Sequence, residues 1–85
     1  MKNNIYNYFI YYRMMINGTE QSCGDLIIST NTKIEDLTTT KDMCRWLNDI
    51  RTQICKEITA VLNASNDYRI ITNDNIIISN YKFIN

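Results

Sequence analysis

Four arginines, Arg13, Arg45, Arg51 and Arg69, are the side chains best suited to hold an anion. Each guanidinium carries a planar fork of donors that fits a phosphate or a carboxylate. Arg13 closes a run that begins with Asn7 and holds Tyr8, Phe9, Tyr11 and Tyr12. A ring to stack on a base, an amide for the base edge and a guanidinium for phosphate are what a small nucleotide requires. In an extended chain Asn7, Tyr11 and Arg13 fall on one side, because side chains alternate with a period of two. Arg51 lies at the edge of an apolar helical stripe, beside Ile54 and Cys55. It either lays its stem along the core edge or aims its head at an anionic ligand or a partner carboxylate.

Groups that perform catalysis are missing from this inventory. There is no histidine, which removes the commonest general base and the commonest zinc ligand. Gly18 and Gly24 are the two glycines, too few for a phosphate-cradling loop. No carboxylates are paired at a readable spacing, and no Ser/His/Asp set is present. Cys23, Cys44 and Cys55 are odd in number and have no CxxC spacing. Cys44 and Cys55 sit about 16 Å apart along one helix, beyond the ~7 Å that a disulfide allows between Cα atoms. The cysteines read as free thiols packed as small hydrophobes in a reducing compartment. The expectation is therefore a protein that is not an enzyme and uses no cofactor and no metal.

Nine basic and nine acidic residues cancel, so no strong field draws the chain to DNA, RNA or an anionic membrane. No run reaches the ~18 apolar residues of a bilayer span, and Met1-Lys-Asn-Asn4 is no signal-peptide start. These features imply a cytoplasmic protein with neither membrane attachment nor general nucleic-acid binding.

The elements that position the candidates follow from the pattern. Residues 5–16, rich in aromatic and β-branched side chains, predict a long strand. Asn17-Gly18 predicts a hairpin turn, since both central residues must take positive φ. Residues 19–30 predict the return strand, with Gly24 marking a bulge or a close approach. Ile34 and Leu37 are expected as lids on the core. Thr39, three before Asp42, predicts a helix start. The helix runs to about Asn63, with Met43, Leu47, Ile50, Ile54, Ile58 and Val61 on one face. A short strand at Tyr68–Thr72, a turn at 73–75 and a closing strand at Ile76–Ile84 complete one α+β domain over residues 1–85. The expected architecture is a three- or four-stranded, mostly antiparallel sheet under one long helix, in the order β-β-α-(β)-β.

One helix covers one face of a sheet. The first strand carries apolar residues on both: Tyr6, Tyr8, Ile10, Tyr12, Met14 and Ile16 on one side, Ile5, Phe9, Tyr11 and Met15 with Asn7 and Arg13 on the other. The last strand is read likewise, with Ile76 and Ile78 on one side and Ile77, Tyr81 and Phe83 on the other. A second mixed face on so small a domain calls for a cover: a second copy of the chain, another protein or a ligand, of which a homo-oligomer, a dimer or larger, is the one expected.

The tyrosine-rich strand Tyr6-Asn-Tyr-Phe-Ile-Tyr-Tyr12, the turn at Asn17-Gly18, the return through Asp25-Leu-Ile-Ile28, the amphipathic helix and the closing Ile76-Ile-Ile-Ser-Asn-Tyr81 together carry a resemblance. The chain resembles small phage-encoded anti-defence, or immune-evasion, proteins of AT-rich Gram-positive hosts. Fifteen isoleucines and twelve asparagines agree with AT-rich coding. The resemblance implies one of two functions. The first is an oligomeric sponge that sequesters a cyclic nucleotide immune signal without chemistry. On the residue reading above, Asn7, Tyr11, Arg13 and Arg51 would hold that ligand. The second is an inhibitor that binds a bacterial immune effector, as anti-CRISPR proteins do.

Overall fold

Tyr6–Ile16 forms β1 and Thr19–Thr30 forms β2 in the computed structural model, which describes residues 4–85. Met1-Lys2-Asn3, part of the start read above as no leader, lies outside the described residues. Asn17 and Gly18 take φ of 52° and 76°, so the turn that the dipeptide predicts is the turn that forms. A long helix, α1, spans Thr40–Ala64, and β3 spans Ile76–Phe83. The sheet is antiparallel throughout, in the order β2-β1-β3, with α1 packed on one face. The α+β class and the covering helix are as the pattern predicts, and the described residues form three strands.

The helix ends are built by local chemistry. The Thr39 hydroxyl accepts the Asp42 N–H at 3.1 Å, which satisfies one of the free amides of the first turn. At the far end Asn66 takes φ of 61°. The Asp67 N–H then reaches the Leu62 carbonyl at 2.8 Å, and the Asn66 N–H reaches Asn63 at 3.0 Å. This is a Schellman ending with asparagine in the place usually held by glycine. Trp46, Ile50, Ile54, Cys55 and Ile58 are the buried helical residues. Met43 and Val61 lie on the same face, yet are 38% and 66% exposed. They sit near the two ends of a helix about 37 Å long, where less of the sheet lies beneath them.

Tyr8, Ile10, Ile50 and Ile54 form the fully buried centre. The Tyr8 ring lies 5.0 Å from Trp46, edge to face, and 5.3 Å from Phe83. Its hydroxyl donates to Glu35 at 2.8 Å and accepts the Ile34 N–H at 3.1 Å. The Trp46 indole N–H donates to the Thr32 carbonyl at 3.0 Å. Both polar handles thus anchor the 31–37 connection, and Ile34 and Leu37 close on the core as expected.

Two bulges correct the simple alternation. β1 pairs Met14 with Ser22 and Met15 with Glu20, so Gln21 is the extra residue on β2. β1 pairs Tyr11 with Asn80 and Tyr12 with Ile78, so Ser79 is the extra residue on β3. Each bulge inverts the facing of everything beyond it. Tyr81 and Phe83, expected opposite Ile76 and Ile78, therefore turn to the helix side. There they meet Tyr8, and Tyr81 also meets Trp46.

The segment Tyr68–Thr72 is not a strand. The Asp67 carboxylate accepts both the Arg69 N–H and its guanidinium, and this local turn competes with a ladder. From this stretch Ile71 alone is buried, while Tyr68 and Ile70 stand 71% and 87% exposed.

Gly24 faces Tyr12 across the β1–β2 ladder. A Cβ there would stand 2.8 Å from the Tyr12 hydroxyl oxygen and 3.0 Å from its ring, so the glycine is a close approach. The ring covers backbone that a side chain would otherwise shield. Gly24→Ala is expected to displace the ring and destabilise the domain by about 1 kcal/mol. A thermal melt should show this as a loss of roughly 4–8 °C, and an unchanged melt would mean the ring is free to leave.

Candidate binding face

The face of the sheet away from α1 holds three of the four candidate ligand residues. β1 contributes Asn7, Phe9, Tyr11, Arg13 and Met15 to it. Directly paired residues share a face. The register therefore adds Ile27, Asp25 and Cys23 from β2, and Lys82, Asn80 and Ile77 from β3. The rings of Phe9 and Tyr11 lie 5.0 Å apart, inclined by 50°. Tyr11 is 43% exposed and Ile27 is 59% exposed.

Arg13 meets Glu20 at 3.6 Å, with both side chains about half exposed. A pair this loose and wet contributes tenths of a kcal/mol, so the guanidinium is free to exchange it for a better anion. Tyr11 and Arg13 are two residues apart, ~7 Å along the strand. Asn7 lies ~13 Å from Tyr11 at the other end. Its amide donates to Asn85 at 2.7 Å and accepts the Ser29 hydroxyl at 2.6 Å. The same strand end is tied to Ile84 and Asn85 through backbone bonds, so Asn7 serves the joining of all three strands.

Arg51 is placed elsewhere. It projects from α1, in the layer on the opposite side of the sheet from Arg13, and its Nε donates to the Ile76 carbonyl at 3.2 Å. Asn48, Asn73, Asp74 and Ile76 complete a polar cleft of about 210 Å³ around it. Tyr11 and Arg13 are thus brought together, Asn7 stands apart on the same face, and Arg51 does not converge with them. Sequence reasoning missed Ile27, Asn80 and Lys82 as members of the face. The pairing register is the signal that places them, and the two bulges hide it.

A larger groove of about 420 Å³ opens between α1 and β2, lined mainly by Tyr12, Met14, Leu26, Ile58, Val61 and Leu62. Asp25 and Glu57 border it. Burial, then the nearby Asp25 and Cys23, push the Tyr12 hydroxyl upward in pKa, so it stays protonated at neutral pH. Burial likewise pushes the Cys55 thiol up, which keeps it un-ionised and weakly nucleophilic. Among the described residues no His/Cys/Asp/Glu group is placed to hold a metal ion, and no helix is long and apolar enough to cross a membrane.

No family model matches the chain, and neither a curated protein nor a solved structure is significantly similar to it. The residues of the outer face and their chemistry therefore carry the functional argument.

Proposed function

We propose that this is a non-catalytic, phage-type anti-defence protein that sequesters a cyclic nucleotide immune signal in the cytoplasm of an infected cell. It acts as a homo-oligomer, and the ligand is held by the outer sheet face. The observation that carries this reading is the Phe9–Tyr11 ring pair, its Tyr11 member 43% exposed, next to Arg13, whose partner Glu20 holds it loosely. A base stacks on Tyr11 and a phosphate displaces Glu20 from Arg13. Asn80, opposite Tyr11, supplies an amide for the base edge closer than Asn7 does.

Arg13→Ala is expected to weaken binding about ten- to hundredfold, the loss of one charge-assisted contact to phosphate. Its melting temperature should stay near the wild-type value. Arg51→Ala is expected to act on the fold instead, costing about 1–2 kcal/mol, because the Ile76 carbonyl loses a charged donor. Calorimetric titration against cyclic di- and trinucleotides and cyclic ADP-ribose isomers, with parallel melts, measures both. Binding by none of them would remove this reading.

A second reading is favoured by the loop after α1. Asp67 and Arg69 pair at 2.9 Å and hold Tyr68 and Ile70 outward. A preformed apolar tip suits an inhibitor that docks on a bacterial immune effector. Native mass spectrometry of the protein from infected cells separates the two: a bound small mass favours the sponge, a co-purifying protein the inhibitor.

A further inference from the structure

We infer that the outer sheet face is the contact between two copies of this chain, stacked face to face about a two-fold axis that runs along β1. This deepens the reading above and rests on it only in taking the protein to be an oligomer.

The face is large enough. Eleven residues of β1 at ~3.3 Å each, across three strands ~4.8 Å apart, give a footprint of about 500 Å² per copy. Two copies then bury about 1,000 Å², the lower bound for a specific interface. Its centre is apolar: Phe9, Tyr11 and Met15, flanked by Ile27 on β2 and Ile77 on β3, the last 37% exposed.

Its charges select the occupant. Glu20 and Asp25 lie on the β2 flank, Lys82 lies on the β3 flank, and Arg13 lies between them. Two cations and two anions leave no field for a nucleic acid or for a partner of one sign. A two-fold interface requires a patch that complements itself. Opposite signs on opposite flanks meet that requirement, and the two Arg13 side chains that this axis brings together are each balanced by their own Glu20 at 3.6 Å. Rotation about an axis along β1 lays each β2 flank over the other copy's β3 flank. Asp25 then comes within one residue pair of the other copy's Lys82. An axis across the strands instead lays β2 over β2 and sets the acidic flanks against each other. Stacked sheets ~10 Å apart leave room for Phe9, Tyr11 and Met15 to interdigitate. Tyr11 and Arg13 come in two symmetric sets, so a ligand at this face lies between the copies.

Light scattering and sedimentation of the whole protein test the interface. Wild type should run at twice 10.0 kDa at micromolar concentration. Ile27→Lys, at a position too exposed to serve the core, should run at the monomer mass with an unchanged circular dichroism spectrum. Asp25→Lys and Lys82→Glu should each weaken the dimer about tenfold, and the double variant should recover to within about threefold of wild type. A wild-type monomer, or a dimer that survives Ile27→Lys, would overturn the interface. A double variant no better than the singles would overturn the axis. Nucleotide titration is read separately. A dimer that binds no nucleotide leaves the interface standing and removes the sponge, and a monomer that binds one does the reverse.

Discussion

Ile54→Ala is expected to destabilise the domain by about 2–5 kcal/mol, against a total stability of roughly 5–10 kcal/mol for a chain of this size. Ile54 has no exposed surface and sits with Tyr8, Ile10 and Ile50 at the point where helix meets sheet. Alanine there removes the transfer energy of the lost carbons and leaves a cavity. The surrounding strands are fixed by pairing on both sides of β1 and cannot collapse into it. Lys56→Ala, two residues away and exposed, should cost about 0.5 kcal/mol or less. Urea unfolding of both variants measures the contrast. Equal costs would mean that the helix is turned from the orientation described.

Raising the pH should weaken the fold through one hydroxyl. The Tyr8 hydroxyl is pushed up to about 12, chiefly by burial and further by its contact with the Glu35 carboxylate, while the Ile34 N–H opposes the shift. Below about pH 10 both the native and the unfolded chain keep this proton, and the stability is fully present. Between about pH 10 and 12 the unfolded chain releases the proton and the native one retains it. Stability therefore falls as pH rises, by roughly 2–3 kcal/mol when the native pKa has been passed. The upward shift at Tyr12 adds a loss of the same sign. Urea midpoints measured at about pH 9 and about pH 11.5 should separate for wild type. Tyr8→Phe should be less stable at the lower pH, since Ile34 loses an acceptor, yet lose less on going to the higher one. A wild-type midpoint that does not move would mean that the hydroxyl ionises in place.

The hairpin, the helix with its Thr39 cap and the last strand were all legible because each rests on local chemistry. The facing of residues far from the turn was not. From Asn17-Gly18 alone, the pairs run Ile16 to Thr19, Met15 to Glu20, and by extension Tyr12 to Cys23 and Phe9 to Leu26. That register would send Leu26 and Ile28 outward. The extra Gln21 slips it by one, so Leu26 and Ile28 turn to the helix and Gly24 comes under Tyr12. Burial of two large aliphatic side chains outweighs one broken ladder step, but nothing local to Gln21 announces it. The same holds for Ser79, whose bulge lets Tyr81 and Phe83 reach the core. Of the candidate site, the shared face of Asn7, Tyr11 and Arg13 was readable from parity. The separation of Arg51 was not, because its partner is a backbone carbonyl that composition does not encode. Tyr68–Thr72 had the composition of a strand. With β2 and β3 flanking β1 on both sides, a fourth strand would have to join an outer edge, and the Asp67–Arg69 turn keeps the segment out of register with either.

The strand order β2-β1-β3 has a consequence for how the protein is made. Of the elements described, the central strand is synthesised before the others, and one of its two neighbours after them. Tyr8 pairs with Phe83, so the core is enclosed only when β3 is available. The hairpin and the helix are complete earlier and have local contacts to stabilise them, but one whole edge of β1 waits unpaired. Closing so long a loop makes this the slow step. Translation at about 5–20 residues per second leaves that edge open for seconds. The nascent chain therefore passes through a stage with a tyrosine-rich, ungated strand edge, the kind of surface that chaperones hold and that neighbouring chains on the same message can pair with.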